Sequence, residues 1–304
     1  MFKRKIYAFA QEYFYAPNLW QKCLAIVLLP LSALYCASVI LKAKFSKTLD
    51  FDIPIISIGN LTLGGSGKTP LGIAILNEFE GGCVILRGYG RASSGLVKVA
   101  ISGEILVGVT ASGDEAMEYA KSVKNANVIV SENRDVAIKE ALNLGAKYVL
   151  LDDGFGKFHI KKFNVLIRPS AKPYFDFVLP SGAYRYPSKF YAKADYVVKE
   201  GEDFTRTSEI INQTKKMVLV TAIANPQRLE PYFSLCVGRE IYPDHYAFSR
   251  DELVEILTRY GATSLLVTRK DAVKMEEFGL PLSVIALKTT LADKFKRIIK
   301  EKIL

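Results

Sequence analysis

The 304-residue chain has few residues of the types that build metal or disulfide scaffolds. It contains two histidines, one tryptophan and four cysteines, and no two cysteines form a CxxC pair. This spacing excludes a disulfide framework and does not indicate a zinc site, so a reducing compartment is expected. Half of the residues are hydrophobic, which excludes a disordered chain. The cysteines are Cys23, Cys36, Cys83 and Cys236.

Acidic residues are also scarce, 31 against 41 Lys and Arg, which gives a net charge of +10. Residues 1–50 hold seven basic and two acidic residues, so this segment alone carries +5. The mean hydropathy of +0.15 is high for a wholly soluble enzyme. Because the excess charge lies beside an apolar run and not in an RNA-binding motif, it favours an anionic membrane surface over nucleic acid as the partner.

That apolar run covers residues 23–41, which contain no charge. A helix of this length is about 28 Å long, close to the roughly 30 Å thickness of a bilayer core. Trp20 and Lys22 precede the run and three lysines follow it, which is typical of a membrane interface. The run begins too late for a cleaved signal peptide. A buried core helix is the alternative to membrane association, and Pro30 leaves both a spanning and an interfacial or re-entrant helix open.

From residue 48 onwards, short β-branched runs alternate with helical patterns. Near-continuous apolar strands between helices predict a parallel sheet that is buried on both faces. We predict strands over 53–58, 83–86, 127–130, 148–151, 164–167, 196–199, 218–221 and 264–268. We predict helices over 71–79, 134–144 and 249–260, the last of which opens with a capping box of Ser249 and Glu252.

The first of these strands leads into a glycine-rich turn, GNLTLGGSGKTP over residues 59–70. A strand, a turn with Lys-Thr and a helix form the context of a Walker A loop, whose backbone N–H groups bind phosphate. Lys68 would reach the β- and γ-phosphates of ATP, and the Thr69 hydroxyl would bind Mg²⁺. Thr62 stands where the usual pattern has its first glycine. The predicted nucleotide-binding residues are Thr62, Leu63, Gly64, Gly65, Ser66, Gly67, Lys68 and Thr69.

A carboxylate pair follows the strand at 148–151, in the sequence KYVLLDDGF. Asp152 and Asp153 lie where a Walker B motif places the acids that hold the metal, and the alternative is an Asp-Gly turn that closes the strand. Because the carboxyl ends of parallel strands meet at one edge, these acids and the loop would face the same crevice.

Several further residues are candidates for chemistry. Asp114 opens a helix after a turn signal, where it either complements the helix dipole or acts as a general base. His245 lies on a loop before a helix cap, a position where a histidine has either a functional or a merely structural role. Four further side chains are candidates to bind phosphate or an acidic lipid headgroup. The alternative for each is a structural turn. The four are Arg87, Tyr89, Arg91 and Arg185.

Taken together, the motifs resemble the tetraacyldisaccharide 4'-kinase family, the lipid A 4'-kinases of Gram-negative bacteria. The resemblance runs in order along nearly the whole chain and includes the loop that lacks its first glycine. The matching segments are GNLTLGGSGKTP, RGYGR at 87–91, SGDEA at 112–116, LLDDGF at 150–155, LPSGAYRYP at 179–187, AIANPQR at 222–228, PDHY at 243–246 and TRKDAVK at 268–274.

The resemblance implies an enzyme at the cytoplasmic face of the inner membrane. It would transfer the γ-phosphate of Mg-ATP to the 4'-hydroxyl of a tetraacyldisaccharide 1-phosphate lipid A precursor. It also implies that Asp114 is the catalytic base, that His245 supports it, and that Asp152 and Asp153 are the Walker B acids. The implied partners are the lipid precursor and the anionic membrane surface, without nucleic acid and without an obligate protein partner.

The chain departs from the family pattern at two places. Gly156-Lys157 stands where the family has Gln-His after DDGF, and Tyr186 stands where it has Glu in R-E-P. Roles of the missing side chains therefore do not carry over. The main alternative function is a membrane-tethered P-loop switch NTPase that hydrolyses ATP or GTP, with water as the acceptor.

We predict four regions along the chain. A membrane-associated segment covers residues 1–47, and a P-loop nucleotide-binding core covers 48–200. A polar stretch without clear periodicity at 201–216 is predicted to be a linker. A smaller C-terminal α/β subdomain over 217–304 is predicted to close the active site.

Overall fold

The computed structural model describes residues 2–304 except Gly65, Ser170, Ala224 and Asn225. The strands of this part are β1 Ile55–Gly59, β2 Gly82–Leu86, β3 Val97–Ile101, β4 Glu104–Ile105, β5 Asn127–Val130, β6 Tyr148–Asp152, β7 Phe163–Ile167, β8 Tyr196–Val198, β9 Phe204–Ile211, β10 Met217–Thr221, β11 Cys236–Ile241, β12 Ser264–Thr268 and β13 Leu282–Leu291. Its α-helices are α1 Phe2–Tyr15, α2 Leu19–Val27, α3 Leu29–Phe45, α4 Lys68–Glu78, α5 Val109–Ser112, α6 Asp114–Ser122, α7 Arg134–Asn143, α8 Arg250–Tyr260, α9 Arg269–Met275 and α10 Asp293–Ile303.

Eight strands form one sheet in the order β4-β3-β5-β2-β6-β1-β7-β8. Every pair from β5 to β8 in this order is parallel, whereas β3 and β4 add an antiparallel edge. All five residues of β1 and of β6 are buried, as expected for central strands covered on both faces. Ile58 of β1 lies opposite Asp152 of β6, so the carboxyl ends of these two strands meet. The predicted parallel sheet is confirmed.

Helices cover both faces of this sheet. Helices α4 and α6 pack on one face in a large apolar cluster, and α7 packs on the other face through Ala137 and Ile138. The last helix, α10, also joins the first face, where Phe295 and Ile299 are fully buried. The C-terminus therefore returns to the first sheet.

Five strands form a second sheet in the order β11-β10-β12-β13-β9, with only the β13–β9 pair antiparallel. Strand β9 lies inside the stretch 201–216, so the prediction of a linker there is wrong. The prediction missed this strand because Phe204 is the only buried residue in it. An edge strand with exposed Thr, Ser and Glu side chains and a half-buried Arg lacks the apolar pattern by which strands are recognised.

The apolar run at 23–41 does not form one straight helix, in contrast to the geometry assumed from its length. Helices α2 and α3 are separated at Leu28 and bent by 53°, and Pro30 lies in the first turn of α3, a position that suits a new helix start. Over the described residues, no single helix is long and apolar enough to cross a membrane, whereas α2 and α3 pass that test as a bent pair.

Hydrogen bonds tie these N-terminal helices to the region around the predicted phosphate loop. The Tyr15 hydroxyl at the end of α1 donates to the Leu63 carbonyl at 3.3 Å. In α3, the buried Ser32 hydroxyl donates to the Val178 carbonyl at 3.0 Å and accepts the N–H of Ser181 at 2.9 Å. The N-terminal segment is thus an integral part of the fold.

The predicted capping box of α8 is half formed. Ser249 Oγ accepts the backbone N–H of Glu252 at 3.3 Å, which satisfies one free donor of the first turn. The Glu252 carboxylate instead accepts the Tyr246 hydroxyl at 3.1 Å. This bond fixes the loop that precedes α8.

Candidate active site

The phosphate loop lies between the carboxyl end of β1 and helix α4, where the sequence places it. Gly67 precedes α4 in a left-handed conformation with φ of 80°, and Lys68 and Thr69 are the first helical residues. These three residues and Ser66 line a cavity of about 1580 Å³. Free N–H groups at a helix N-terminus that faces a cavity form a binding site for phosphate.

The first half of the predicted loop, residues 62–64, does not line the large cavity. Thr62 is buried and pairs with the backbone of Tyr184, and Leu63 donates its N–H to the Ala183 carbonyl at 2.8 Å. Thr62, Leu63 and Gly64 line a second cavity of about 410 Å³. Gly65 lies outside the described residues. The nucleotide contacts of this half remain predictions.

Beside the loop, an ion-pair network orients two cations that line the large cavity. Lys68 Nζ donates to Asn60 Oδ1 at 3.1 Å and lies 3.8 Å from Asp153 Oδ1. Arg185 donates to both Asp153 oxygens at 2.8 Å and to Asn60 Oδ1 at 2.6 Å. Burial opposes the ionisation of Asp153, but Arg185 and Lys68 outweigh it and hold the pKa of that carboxyl well below its ordinary value. Asp153 therefore fixes two cations, and its role as a metal ligand remains a prediction.

Asp152 lies closer to the predicted metal-binding hydroxyl. Its Oδ2 accepts the Thr69 hydroxyl at 3.3 Å and the hydroxyl of buried Tyr119 at 3.0 Å. Burial and the neighbouring Glu115 raise the pKa of Asp152 to about 6, a shift that a bound cation would oppose.

Thr69 and Asp152 fit a Mg²⁺ ion of the kind found in P-loop proteins, where a hydroxyl and a carboxylate act with phosphate oxygens and water. Within the described residues, no group of three or more His, Cys, Asp or Glu side chains is arranged so that it could hold a metal ion by itself. Mg²⁺ at a phosphate site does not require one, because it keeps several waters.

The two candidate catalytic residues are in direct contact. His245 Nδ1 lies 2.9 Å from Oδ2 and 3.1 Å from Oδ1 of Asp114, the first residue of α6. His245 lines the large cavity, whereas Asp114 is only 4 % exposed behind it. The backbone of His245 has a φ of 60°, a left-handed conformation that non-glycine residues adopt at a cost. The loop before α8 therefore presents the imidazole in a constrained geometry.

The hydrogen bond between Asp114 and His245 favours the ionised form of each. Burial opposes ionisation of Asp114, but the hydrogen bond from His245 and the charge of Lys270 outweigh it and lower the pKa of the carboxyl. Burial likewise opposes the imidazolium, yet the hydrogen bond with Asp114 raises the pKa of His245 above its ordinary value. Lys270 Nζ lies 3.7 Å from Asp114 and 3.2 Å from Asp244. The pair is thus a carboxylate beside a readily protonated imidazole.

The predicted substrate-binding residues divide into two groups. Arg87, Tyr89 and Arg185 line the large cavity, and the Tyr89 ring lies 5.1 Å from the imidazole of His245. Arg91 instead pairs with Glu132 at 2.5 Å, with its side chain 2 % exposed. Arg91 is not among the described residues that line this cavity, so its predicted contact with substrate remains without structural support.

The two departures from the family pattern are in contact with each other. Tyr186 packs edge-on against Phe155 and Phe158. A β-carbon at Gly156 would lie 2.1 Å from the Tyr186 hydroxyl oxygen, so a larger residue at 156 would displace this tyrosine. Lys157, the next residue, lines the cavity; burial and the charges of Arg134 and Lys42 lower its pKa.

Sequence reasoning missed four residues that complete the site. Asn60 and Lys270 lie inside motifs that were recognised, so their position beside the predicted residues was the available signal. Tyr119 lies one helical turn and a half after Asp114, and its fully buried hydroxyl gives no sequence signal. Arg206 lies on β9, within the stretch 201–216 that is predicted to be a linker. It reaches the phosphate loop from the second sheet.

Three features together define a P-loop phosphotransferase. A phosphate loop follows β1 of a parallel sheet, a carboxylate lies at the end of the adjacent strand, and a carboxylate–imidazole pair lies at the same cavity. A family model for tetraacyldisaccharide-1-P 4'-kinases matches residues 24–217 and 203–304. The chain belongs to this family, and the predicted family and fold class are confirmed.

Individual relatives agree along the chain. Tetraacyldisaccharide 4'-kinase of Campylobacter jejuni is 49% identical over 294 residues, 95% of each chain. The enzyme of the same name from Helicobacter pylori is 47% identical over 287 residues, 94% of this chain and 92% of the other. The crystal structure of LpxK from Aquifex aeolicus in complex with ATP superposes with a TM-score of 0.77 at 26% identity, over 92% of this chain and 100% of that one.

Proposed function

We propose that the protein transfers the γ-phosphate of ATP to the 4'-hydroxyl of a tetraacyldisaccharide 1-phosphate, a lipid A precursor. The observation that carries this proposal is the contact of 2.9 Å between Asp114 and His245 on the cavity that the phosphate loop also lines. Membership of the 4'-kinase family supports the same substrate, and the ATP complex of the Aquifex aeolicus structure supports the nucleotide.

On the nucleotide side, the loop amides and Lys68 neutralise phosphate charge. A hydrogen bond of 3.1 Å to Asn60 Oδ1 orients the Lys68 ammonium beside the loop. Mg²⁺ held by Thr69 and Asp152 would supply further neutralisation of the β- and γ-phosphate oxygens. Phosphoryl transfer depends mainly on such positioning and charge stabilisation.

On the acceptor side, the proton of the sugar hydroxyl passes to the Asp114–His245 pair. We assign Asp114 as the general base and His245 as the group that orients it. The lowered pKa of Asp114 keeps the carboxylate ionised at neutral pH, ready to accept a proton. Because His245 borders the cavity and Asp114 lies behind it, the two act as one unit.

We further propose that the N-terminal segment lies at an anionic membrane, at its cytoplasmic face. One side of α3 packs on the core through Val39, next to Leu61 and Phe155. The other side and α2 leave large apolar side chains more than half exposed to solvent. They are Leu19, Trp20, Ile26, Val27, Leu31, Leu34, Leu41 and Phe45. An exposed apolar surface flanked by lysines is what an interfacial membrane segment requires.

The deciding experiment supplies γ-³²P-ATP and the lipid disaccharide 1-phosphate in detergent micelles. We expect label in the lipid, and no transfer to a lipid whose 4'-hydroxyl is blocked. Release of label as inorganic phosphate alone, at the same rate with and without lipid, would instead show the switch NTPase and overturn the proposal.

A further inference from the structure

Arg206 is anchored in the second sheet but contacts the phosphate loop of the first. It lies on the edge strand β9, opposite Thr289 of β13. A β-carbon built on Gly67 would lie only 2.3 Å from Arg206 Nη1, so the guanidinium occupies the space directly over the loop backbone. Arg206 and Gly67 both line the large cavity. The second sheet thus delivers a positive charge to the residue that precedes α4.

Two neighbours fix the orientation of this guanidinium. Nε donates to Glu200 Oε1 at 2.7 Å, and Nη2 forms an ion pair with the other Glu200 oxygen. Its carbon Cζ lies 5.5 Å from the centre of the Phe204 ring. Glu200 thereby engages one edge of the guanidinium, while Nη1, on the other edge, is directed at Gly67. The side chain is 14 % exposed, which is low for an arginine on an edge strand.

Two other cations next to the loop have anionic or amide partners in the first sheet. Arg185 is held by Asp153 with two bonds, and Lys68 contacts Asn60. Arg206 instead comes from the second sheet and lies against Gly67. An arginine with one edge fixed by a carboxylate and the other directed at a phosphate site is pre-organised to contact phosphate oxygens.

We propose that Arg206 is a further catalytic residue, which binds the phosphate oxygens of the nucleotide over Gly67 while Glu200 holds it in place. The proposal rests on the proposed kinase function. In that reaction the 4'-oxygen forms a bond to the γ-phosphorus, the bond from that phosphorus to the β–γ bridging oxygen breaks, and the bridging oxygen leaves with ADP and the electron pair. Arg206 stabilises the negative charge that accumulates there.

The test compares full-length wild type with Arg206→Ala, Arg206→Lys and Glu200→Gln in the micelle assay. Removal of one pre-organised donor to a developing charge typically lowers kcat by roughly 10²–10³-fold, which we expect for Arg206→Ala. Arg206→Lys keeps the charge but loses the two-edged geometry, so an intermediate kcat is expected. Glu200→Gln keeps the guanidinium and should mainly raise KM for ATP.

Two further readouts separate catalysis from a structural role. Added guanidinium ion should partly restore kcat of Arg206→Ala and should leave Asp114→Asn unchanged. Arg239→Ala, an exposed arginine on β11 of the same sheet, is the matched control and should keep wild-type kcat. Thermal unfolding of every variant shows whether the fold is retained.

The outcomes are distinct. Wild-type kcat in Arg206→Ala would overturn the assignment of Arg206. So would a loss of kcat in Arg206→Lys that tracks a lowered melting temperature, if guanidinium does not rescue Arg206→Ala. In either case, label transfer by the wild type still supports the kinase. Absence of label transfer to lipid by the wild type itself would overturn the proposed function first.

Discussion

The two sides of the active-site cavity are built in different ways. On the nucleotide side, the loop and Asn60 come from one stretch of ten residues, and the end of β6 lies beside it in the same sheet. On the acceptor side, Asp114 and His245 are 131 residues apart. Asp114 begins α6, which packs on the first sheet, whereas His245 lies in the loop after β11 of the second sheet. A local motif therefore supplies most of the phosphate site, to which Arg206 of the second sheet is added, whereas the acceptor side exists only when the two sheets are docked.

The largest effect is expected on the nucleotide side, from Lys68→Ala. Lys68 neutralises charge that grows during transfer, so kcat should fall by more than about 10³-fold with the melting temperature unchanged. Lys161→Ala, an exposed lysine paired with Asp50, is the control for the loss of one charge. Wild-type label transfer by Lys68→Ala would refute the assignment of the phosphate loop.

Asp114→Asn breaks the acceptor side alone. A positioned general base contributes roughly 10²–10⁴-fold in rate, so kcat for lipid phosphorylation should fall by that order while the Kd for ATP stays near wild type. His245→Ala should lower kcat in the same direction. If the pair acts as a unit, the double variant is no worse than the worse single variant.

The competing result is equally clear. A variant Asp114→Asn that mainly weakens Mg-ATP binding would place Asp114 with the metal-binding residues. The base would then be sought at Asp153, which already contacts Lys68 and Arg185.

A change in the exposed face of α3 should affect neither side of the cavity. The Leu34 side chain is 70 % exposed. Loss of the burial of one leucine in lipid costs about 1.5–3 kcal/mol. Leu34→Glu should therefore lower the affinity for anionic vesicles by about tenfold or more. Leu142→Glu on α7 is the matched control. Vesicle flotation measures the binding, and kcat in micelles should be unchanged. Equal binding of both variants would contradict the membrane assignment.

The smallest effect concerns the titration of the acceptor pair. Because Asp114 raises the pKa of His245, Asp114→Asn should lower that pKa. The chain has only two histidines, so the His245 signal in an NMR titration is assigned by its loss in His245→Ala. An unchanged His245 pKa would show that the contact does not form in solution.

The same shift predicts a pH dependence of stability. A raised folded pKa means that the stabilisation by His245 is complete below its unfolded pKa of about 6.5 and is lost as pH rises through the folded value. The difference in melting temperature between wild type and His245→Ala should therefore be largest on the acid side. Constant difference from pH 5.5 to 9 would argue against the ion pair.

Much of the nucleotide side was predictable from the sequence, because buried strands and the loop have strong local signals. Asn127–Val130 and Ser264–Thr268 have the predicted bounds. Strand β9 was missed because its single buried residue, Phe204, leaves no apolar period to detect. The exact break of the apolar run at Leu28 was not predicted, although Pro30 left a re-entrant helix open.

Contacts across the two sheets were beyond reach of local patterns. The pairing of Asp114 with His245 was anticipated only through the family resemblance. The approach of Arg206 to Gly67 depends on the packing of β13, the partner of β9, against α4. No local sequence pattern encodes this packing. The mutual dependence of Gly156 and Tyr186 likewise appears only when the two segments are in contact.

The hydrogen bonds of Tyr15 and Ser32 restrict how this enzyme can be re-engineered. Replacement of residues 1–47 by an unrelated lipid anchor would leave the Leu63 carbonyl without the Tyr15 hydroxyl and the Val178–Ser181 turn without Ser32. The N-terminal helices and the nucleotide pocket are therefore one structural unit, not two exchangeable parts. Redesign of this segment has to act on the outward-facing side chains of α2 and α3 alone.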